Sequence, residues 1–185
     1  MRIIAGACKG RVLQAPQWEG LRPTSDRLRE TLFNILAPRI AGARVLDVCA
    51  GTGAVGIEAL SRGAAAVTFV EEDRRAVVLI EANLRRCDVG EGYTIERRNA
   101  LSRTVMLPGG PFDIVFLDPP YAQPSLEPWL QLASAHVASS GLVVLEHASR
   151  RQAPTEVEGL HLRRRLRQGD SGLAFYEPGV VGTES

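Results

Sequence analysis

Lysine is almost missing from this 185-residue chain: Lys9 stands alone, and every other base is arginine. A biased genome produces that pattern, and arginine's planar fork also suits phosphate recognition. Cysteine is scarce. Cys8, Cys49 and Cys87 are odd in number, scattered and without C-x-x-C spacing, so neither a disulfide framework nor a zinc site is indicated. His136, His147 and His161 form no ligand cluster, so no metal is expected. No apolar run reaches membrane-spanning length, and the amino terminus lacks a signal-peptide core. These absences predict a reducing, cytoplasmic setting with no membrane partner. Net charge is also small, +1, so no whole-molecule field draws nucleic acid. The charge is uneven, however. Between Met1 and Ile40, the bases Arg2, Lys9, Arg11, Arg22, Arg27, Arg29 and Arg39 outnumber Glu19, Asp26 and Glu30.

What is present is globular: 45% apolar and 23% charged residues, in a length that suits one domain with a real core. Residues 1–40 read as an extension. Ile3-Ile4 and Val12-Leu13 flank Gly6-Ala-Cys-Lys-Gly10, the pattern of a small hairpin with a basic tip. Pro23 ahead of Thr24 and Ser25 starts a helix with Asp26 in its first turn. Leu28, Leu32, Ile35 and Leu36 share one face, Arg27, Glu30, Thr31 and Asn34 the other, and Pro38 is expected to stop it. Residues 41–178 alternate strand and helix. Strands are expected at Val45–Val48, Ala66–Glu71, Tyr93–Arg97, Phe112–Leu117 and Leu142–Leu145. Helices are expected from Val55, from Asp73 to about Cys87, and over Leu126 to Val137. Short apolar strands between helices predict an α/β fold, a three-layer α/β/α sandwich around a mostly parallel sheet. Leu160–Arg167 alternates strictly, with Leu160, Leu162 and Leu166 on one side and His161, Arg163, Arg165 and Arg167 on the other. After Gly169-Asp-Ser-Gly172 the chain returns as Leu173–Tyr176, so an antiparallel hairpin with a basic outer face closes the sheet. Residues 179–185 are a tail.

Val45-Leu-Asp-Val-Cys-Ala-Gly-Thr-Gly-Ala-Val-Gly56 organises the rest. Gly51, Gly53 and Gly56 fit G-x-G-x-x-G, a strand-to-helix turn over which backbone approaches a ligand, most often a dinucleotide. Asp47 argues otherwise. A carboxylate there repels a pyrophosphate and suits a ligand carrying an ammonium and a sulfonium, as S-adenosylmethionine does. Ligands of open parallel sheets sit at the carboxyl ends of the strands. There Glu71 can accept both ribose hydroxyls, while Asn99 and the Ala100 amide can meet an adenine edge.

Strand four ends in Asp118-Pro119-Pro120-Tyr121. Two prolines fix the backbone and remove two donors, leaving the carboxylate and carbonyls as acceptors. An exocyclic amine on a nucleobase is a poor nucleophile because its lone pair is delocalised. Holding its hydrogens on Asp118 and the Pro119 carbonyl turns that lone pair toward an incoming methyl group, and Tyr121 can stack on the base, worth roughly 1–3 kcal/mol.

Together, D-x-x-x-G-x-G and D-P-P-Y resemble class I S-adenosylmethionine-dependent amino-methyltransferases with a Rossmann-like fold. Arg2-Ile-Ile4, Leu21–Asn34, Gly56–Ala64 and Phe69-Val-Glu71 are similar to the RsmD family, the 16S rRNA (guanine-N2)-methyltransferases. The resemblance implies methyl transfer to guanine N2 in small-subunit rRNA or its assembly intermediate, by a monomer. It implies that Asp47, Gly51, Gly53, Glu71, Asn99 and Ala100 hold the cofactor, and that Asp118, Pro119, Pro120 and Tyr121 hold the guanine. Arg22, Thr24 and Arg27 would lie over cofactor or RNA. Read from charge alone, the basic hairpin with Arg2, Lys9 and Arg11, the Arg22–Arg29 segment and the arginine face of Leu160–Arg167 are candidates to grip the phosphate backbone. The rivals are an adenine-N6 DNA methyltransferase using the same residues, and a non-enzymatic RNA-binding or ribosome-assembly protein that keeps the fold.

Overall fold

The computed structural model describes residues 1–18, 24–102 and 106–179. The elements run α1 (Asp26–Ile40), β1 (Arg44–Val48), α2 (Ala54–Ser61), β2 (Ala66–Glu71), α3 (Arg74–Arg86), β3 (Tyr93–Arg97), β4 (Phe112–Leu117), α4 (Glu127–His136), β5 (Val137–Ala148), β6 (Glu156–Val157), β7 (Leu160–Gln168) and β8 (Ser171–Pro178). All strands join one sheet in the order β3-β2-β1-β4-β5-β8-β7-β6. From β1 to β5 the pairings are parallel; β8, β7 and β6 are added antiparallel. Winding outward from β1 first toward β3 and then toward β5 makes the β1/β4 boundary a topological switch point.

Both faces of the central strands are buried, and the pleat divides their side chains between two cores. Val45, Phe69, Ile114, Phe116, Val144 and Phe175 pack under α1, α2, α3 and the amino-terminal segment. Leu46, Val48, Val115, Leu117, Val143, Leu145 and Tyr176 pack with Trp129, Leu130 and Ala133 of α4. Gly56 sets how closely α2 lies on the sheet, since a Cβ there would fall 2.3 Å from the Phe69 ring and 2.8 Å from Val67. Gly56→Ala is expected to cost about 1–3 kcal/mol of stability through overpacking, read as a lower denaturant midpoint with an unchanged m-value.

The amino-terminal segment forms a hairpin with a single antiparallel bridge, Arg2 to Val12. Its outward arm follows α2 down: the Ile4 and Ala5 amides donate to Glu58 (2.8 and 3.0 Å), the Ala7 amide to the Ser61 carbonyl and the Cys8 amide to Ser61 Oγ. The return arm climbs α3, where the Gln14 amide donates to Asn83 Oδ1 (2.7 Å) and Asn83 Nδ2 donates to the Thr52 carbonyl (2.9 Å).

Several expectations are corrected. Pro38 lies within the last turn of α1, which continues to Ile40. The proline deprives only the Asn34 carbonyl of a donor, and Asn34 is exposed to water, while Ile40 is held in the core. Val137 opens β5 instead of ending α4, and β5 is longer than expected. In β7 a bulge between Leu162 and Arg164 breaks the strict alternation. Leu160 and Leu162 face the α4 core, but Leu166 faces the α1 core, so the arginines do not share one outer face. Arg29, expected among phosphate-gripping residues, is wholly buried. It bonds Asp26 Oδ1 (3.0 Å) and the Arg2 carbonyl, with Glu58 Oε2 at 3.9 Å. Desolvation lowers its pKa against the opposing pull of Asp26 and Glu58.

Candidate active site

A cleft of about 750 Å³ opens at the carboxyl ends of β1 to β5, a volume in the range of small-molecule sites. The β1–α2 turn forms its floor. Gly51 and Gly53 take left-handed φ values of 57° and 74°, and so does Cys49 at 60°. Gly53 caps α2, and its Cα faces Ile80, so it shapes the turn from behind without lining the cleft.

Asp47 is buried beneath this turn, its Oδ2 accepting the Gly56 amide at 2.9 Å. Burial pushes its pKa up to about 7; the Gly56 N–H opposes that rise and the Glu71 charge adds to it. Glu71, also buried, accepts the Gly51 amide (2.9 Å) on one oxygen and the Asp73 amide (2.9 Å) on the other. It therefore ties the end of β2 to both flanking turns, with further lone pairs for a ligand. Asn99 accepts the Leu101 amide and donates to Glu72, both at 2.9 Å, which places Ala100 against the cleft wall. Burial pushes the Cys49 thiol far up, reinforced by Asp118, so it is no thiolate nucleophile.

Asp118 follows β4, its amide donating to the Val48 carbonyl of β1 at 3.2 Å across the switch point. Pro119, Pro120 and Tyr121 continue that wall. Tyr121 is partly exposed, and its hydroxyl lies 2.7 Å from Ser171 Oγ and 3.2 Å from Glu146 Oε1, to which it donates. Burial raises the phenol to about 12. Thr24 lines the same end, donating to Glu146 Oε2 at 3.0 Å.

Asp47, Gly51, Glu71, Asn99, Ala100, Asp118, Pro119, Pro120, Tyr121 and Thr24 thus converge on one cavity. Arg22 lies outside the described residues. Arg2, Lys9, Arg11 and Arg27 do not line the cleft. The hairpin tip carrying Lys9 sits at the carboxyl end of α2, the opposite end of the sheet. Arg11 pairs with Asp88 at 2.6 Å and bonds the Arg86 carbonyl, at the same remote end. Arg27 is exposed on α1; one turn further on, Thr31 donates to Gln168 at the β7–β8 turn (3.3 Å). Of the β7 arginines, Arg163 pairs with Glu177 (3.5 Å) and Arg165 donates to the Ala153 carbonyl (3.0 Å), while Arg167 is exposed beside that turn.

Several lining residues were not foreseen, Trp18 and Glu146 among them. Trp18 stacks under the Arg75 guanidinium at 4.9 Å, and nothing in its irregular surroundings signals that role. Glu146 directly follows Leu142–Leu145, the same apolar-strand-then-acid pattern that marks Asp118, and could have been found by it. Among the described lining residues, Asp47, Glu71, Glu72, Asp73, Asp118 and Glu146 face only two guanidinium groups, Arg75 and Arg98. An acidic cleft of this kind fits a cationic sulfonium and ammonium and disfavours a pyrophosphate.

Comparison with known proteins agrees. The family described as conserved hypothetical protein 95 matches residues 1–177. The chain is 39% identical over 184 residues to Ribosomal RNA small subunit methyltransferase D of Escherichia coli K12, covering 98% of this chain and 92% of that protein. The protein of the same name from Haemophilus influenzae is 44% identical over 125 residues, 65% of this chain and 64% of its own length. The solved structure of yhhF from Escherichia coli superposes with a TM-score of 0.84 at 36% identity, covering 97% of this chain and 98% of that one. Sheet order, strand-end cleft and these relatives agree, and the chain belongs to the family of RsmD-type methyltransferases with a Rossmann-like class I fold.

Proposed function

We propose that the protein transfers the methyl group of S-adenosylmethionine to the exocyclic N2 amine of one guanine in 16S rRNA, on the small ribosomal subunit or its assembly intermediate. The observation that carries this reading is the adjacency of Asp118–Tyr121 to an acidic cofactor-sized cleft at the switch point. The named rRNA methyltransferase relatives support the substrate class.

Asp47, the Gly51 turn, Glu71, Asn99 and Ala100 would hold the cofactor, which when bound supplies a methyl group made electrophilic by its sulfonium. Asp118 and the Pro119 carbonyl accept the two N2 hydrogens, localise the nitrogen lone pair and aim it into the cleft. Once nitrogen gains its fourth bond, Asp118 takes the surplus proton. Tyr121, held by Ser171 and Glu146, stacks on the base. Catalysis is then orientation and electrostatics, with no covalent enzyme intermediate. The base must leave its stack to reach the cleft, which costs binding energy made up elsewhere. Arg27 of α1 and Arg167 of β7, both exposed to water, would be available to meet phosphate. Lys9 and Arg11 are too far around the molecule to meet the phosphates nearest the target. The protein would act as a cytoplasmic monomer.

Asp47 gives this account a pH signature. Its folded pKa, about 7, lies above the ordinary carboxylate value, so the fold favours the protonated form. Stability from that preference is fully present below pH 4 and is lost as pH rises through 7. A cationic ligand reverses the preference. Binding of S-adenosylmethionine is therefore expected to tighten from pH 6 to pH 8 and to release protons at pH 6, seen by calorimetry in buffers of different ionisation enthalpy. Asp47→Asn should bind more weakly yet resist denaturant better than the parent at pH 8, with that advantage gone at pH 4.

The function is tested with purified protein, labelled S-adenosylmethionine and small-subunit rRNA or particles. Label recovered as N2-methylguanosine supports the reading. Label recovered as N6-methyladenosine, or no transfer to either substrate, contradicts it.

A further inference from the structure

The cleft holds a second carboxylate beside Asp118 that the transfer mechanism leaves unused except as a support for Tyr121. β4 and β5 are parallel neighbours in the register Leu117 to Leu145. Asp118 is the first residue past β4 and Glu146 lies within β5, each directly following one of these partners, and both line the cleft. Adjacent strands lie about 4.8 Å apart, so residues that directly follow register partners begin as neighbours. Glu146 is buried, with only 3% of its surface exposed. Thr24 donates to one of its oxygens and Tyr121 to the other. These bonds fix the plane of the carboxylate. A buried, oriented acceptor lies beside the residue that receives the reacting amine.

We infer that Glu146 is the specificity-determining residue that selects guanine, by accepting the N1–H next to the reacting N2 amine. The inference rests on the guanine-N2 reading above and extends it. Guanine presents three hydrogens along that edge, two on N2 and one on N1. Asp118, the Pro119 carbonyl and Glu146 are three acceptors for them. Adenine presents two hydrogens on N6 and a bare lone pair at N1, which would face the Glu146 carboxylate and be repelled. Asp118–Tyr121 alone does not distinguish the two bases, because each offers an exocyclic amine with two hydrogens. The carboxylate at 146 supplies the difference, and a site built to satisfy a donor rejects an analogue lacking it strongly.

The test replaces the target guanine with 2-aminopurine, which keeps the N2 amine but lacks the N1 hydrogen, in an otherwise identical RNA. The full chain is compared with Glu146→Gln, whose amide can donate to a bare N1. The parent is expected to prefer guanine by at least about 100-fold in kcat/KM, and Glu146→Gln by less than about 10-fold. If Glu146 only positions Tyr121, the variant slows both substrates alike and the ratio does not move, which overturns the inference. Equal rates on the two bases by the parent overturn it without any variant. If the Gln variant does not fold, judged by binding of S-adenosylmethionine, Glu146→Asp replaces it. Its shorter carboxylate should reduce the ratio, and an unchanged ratio counts against the inference. Failure of the parent to methylate the guanine RNA would instead remove the underlying reading.

Discussion

Asp118→Ala is expected to bind S-adenosylmethionine as tightly as the parent and to transfer methyl groups about 10²- to 10³-fold more slowly, the usual loss when one preorganised transition-state partner is removed. The separation of effects follows from the layout. Asp118 lies at the end of β4, whereas the residues suited to the cofactor follow β1, β2 and β3. Its side chain acts on the amine, whose lone pair must be freed before it can attack. Asp118→Asn keeps one acceptor oxygen but cannot take the proton, so it should fall between the two. Single-turnover rates with saturating cofactor, alongside calorimetric binding, separate the contributions. Parent-like turnover in Asp118→Ala would remove the mechanism.

The second large effect concerns stability, far from the chemistry. Glu58→Ala is expected to lower unfolding free energy by about 3–5 kcal/mol, as when one partner of a buried ion pair is removed. Glu58 is wholly buried and accepts from the Ile4 and Ala5 amides and from Arg62 Nε at 2.7 Å, with Arg29 alongside. Alanine would take away the buried one of the two carboxylates that face Arg29, leaving it Asp26, and would release the amino-terminal arm at the same time. Arg29→Met combined with Glu58→Leu should recover part of the loss, because an apolar pair of similar volume avoids both desolvation costs. Denaturant melts of the parent and the two variants measure this; a Glu58→Ala midpoint within error of the parent would contradict it.

Strand ends and glycine turns were legible because backbone chemistry dictates them. Ala66–Glu71 and Phe112–Leu117 occupy their expected bounds, since buried parallel strands must be short apolar runs. Residues matched to one strand end each, Asp47, Glu71, Asn99 and Asp118, converge because a parallel sheet gathers those ends at one edge. The β7 bulge was not legible: a two-residue period shows which side chains alternate, but one inserted residue exchanges the faces beyond it. Arginine was misleading for a related reason. Composition cannot distinguish Arg29, buried against carboxylates, from Arg27 two positions earlier and exposed to water. The hairpin's basic tip was visible in sequence, but its location beside Ser61 depends on Glu58 and Asn83, far away in the chain.

Deleting the gene and analysing digests of 16S rRNA by mass spectrometry tests the central claim most directly. Loss of a single N2-methylguanosine is expected, restored by the parent chain and not by Asp118→Ala. An unchanged set of small-subunit modifications in the deletion strain would contradict it.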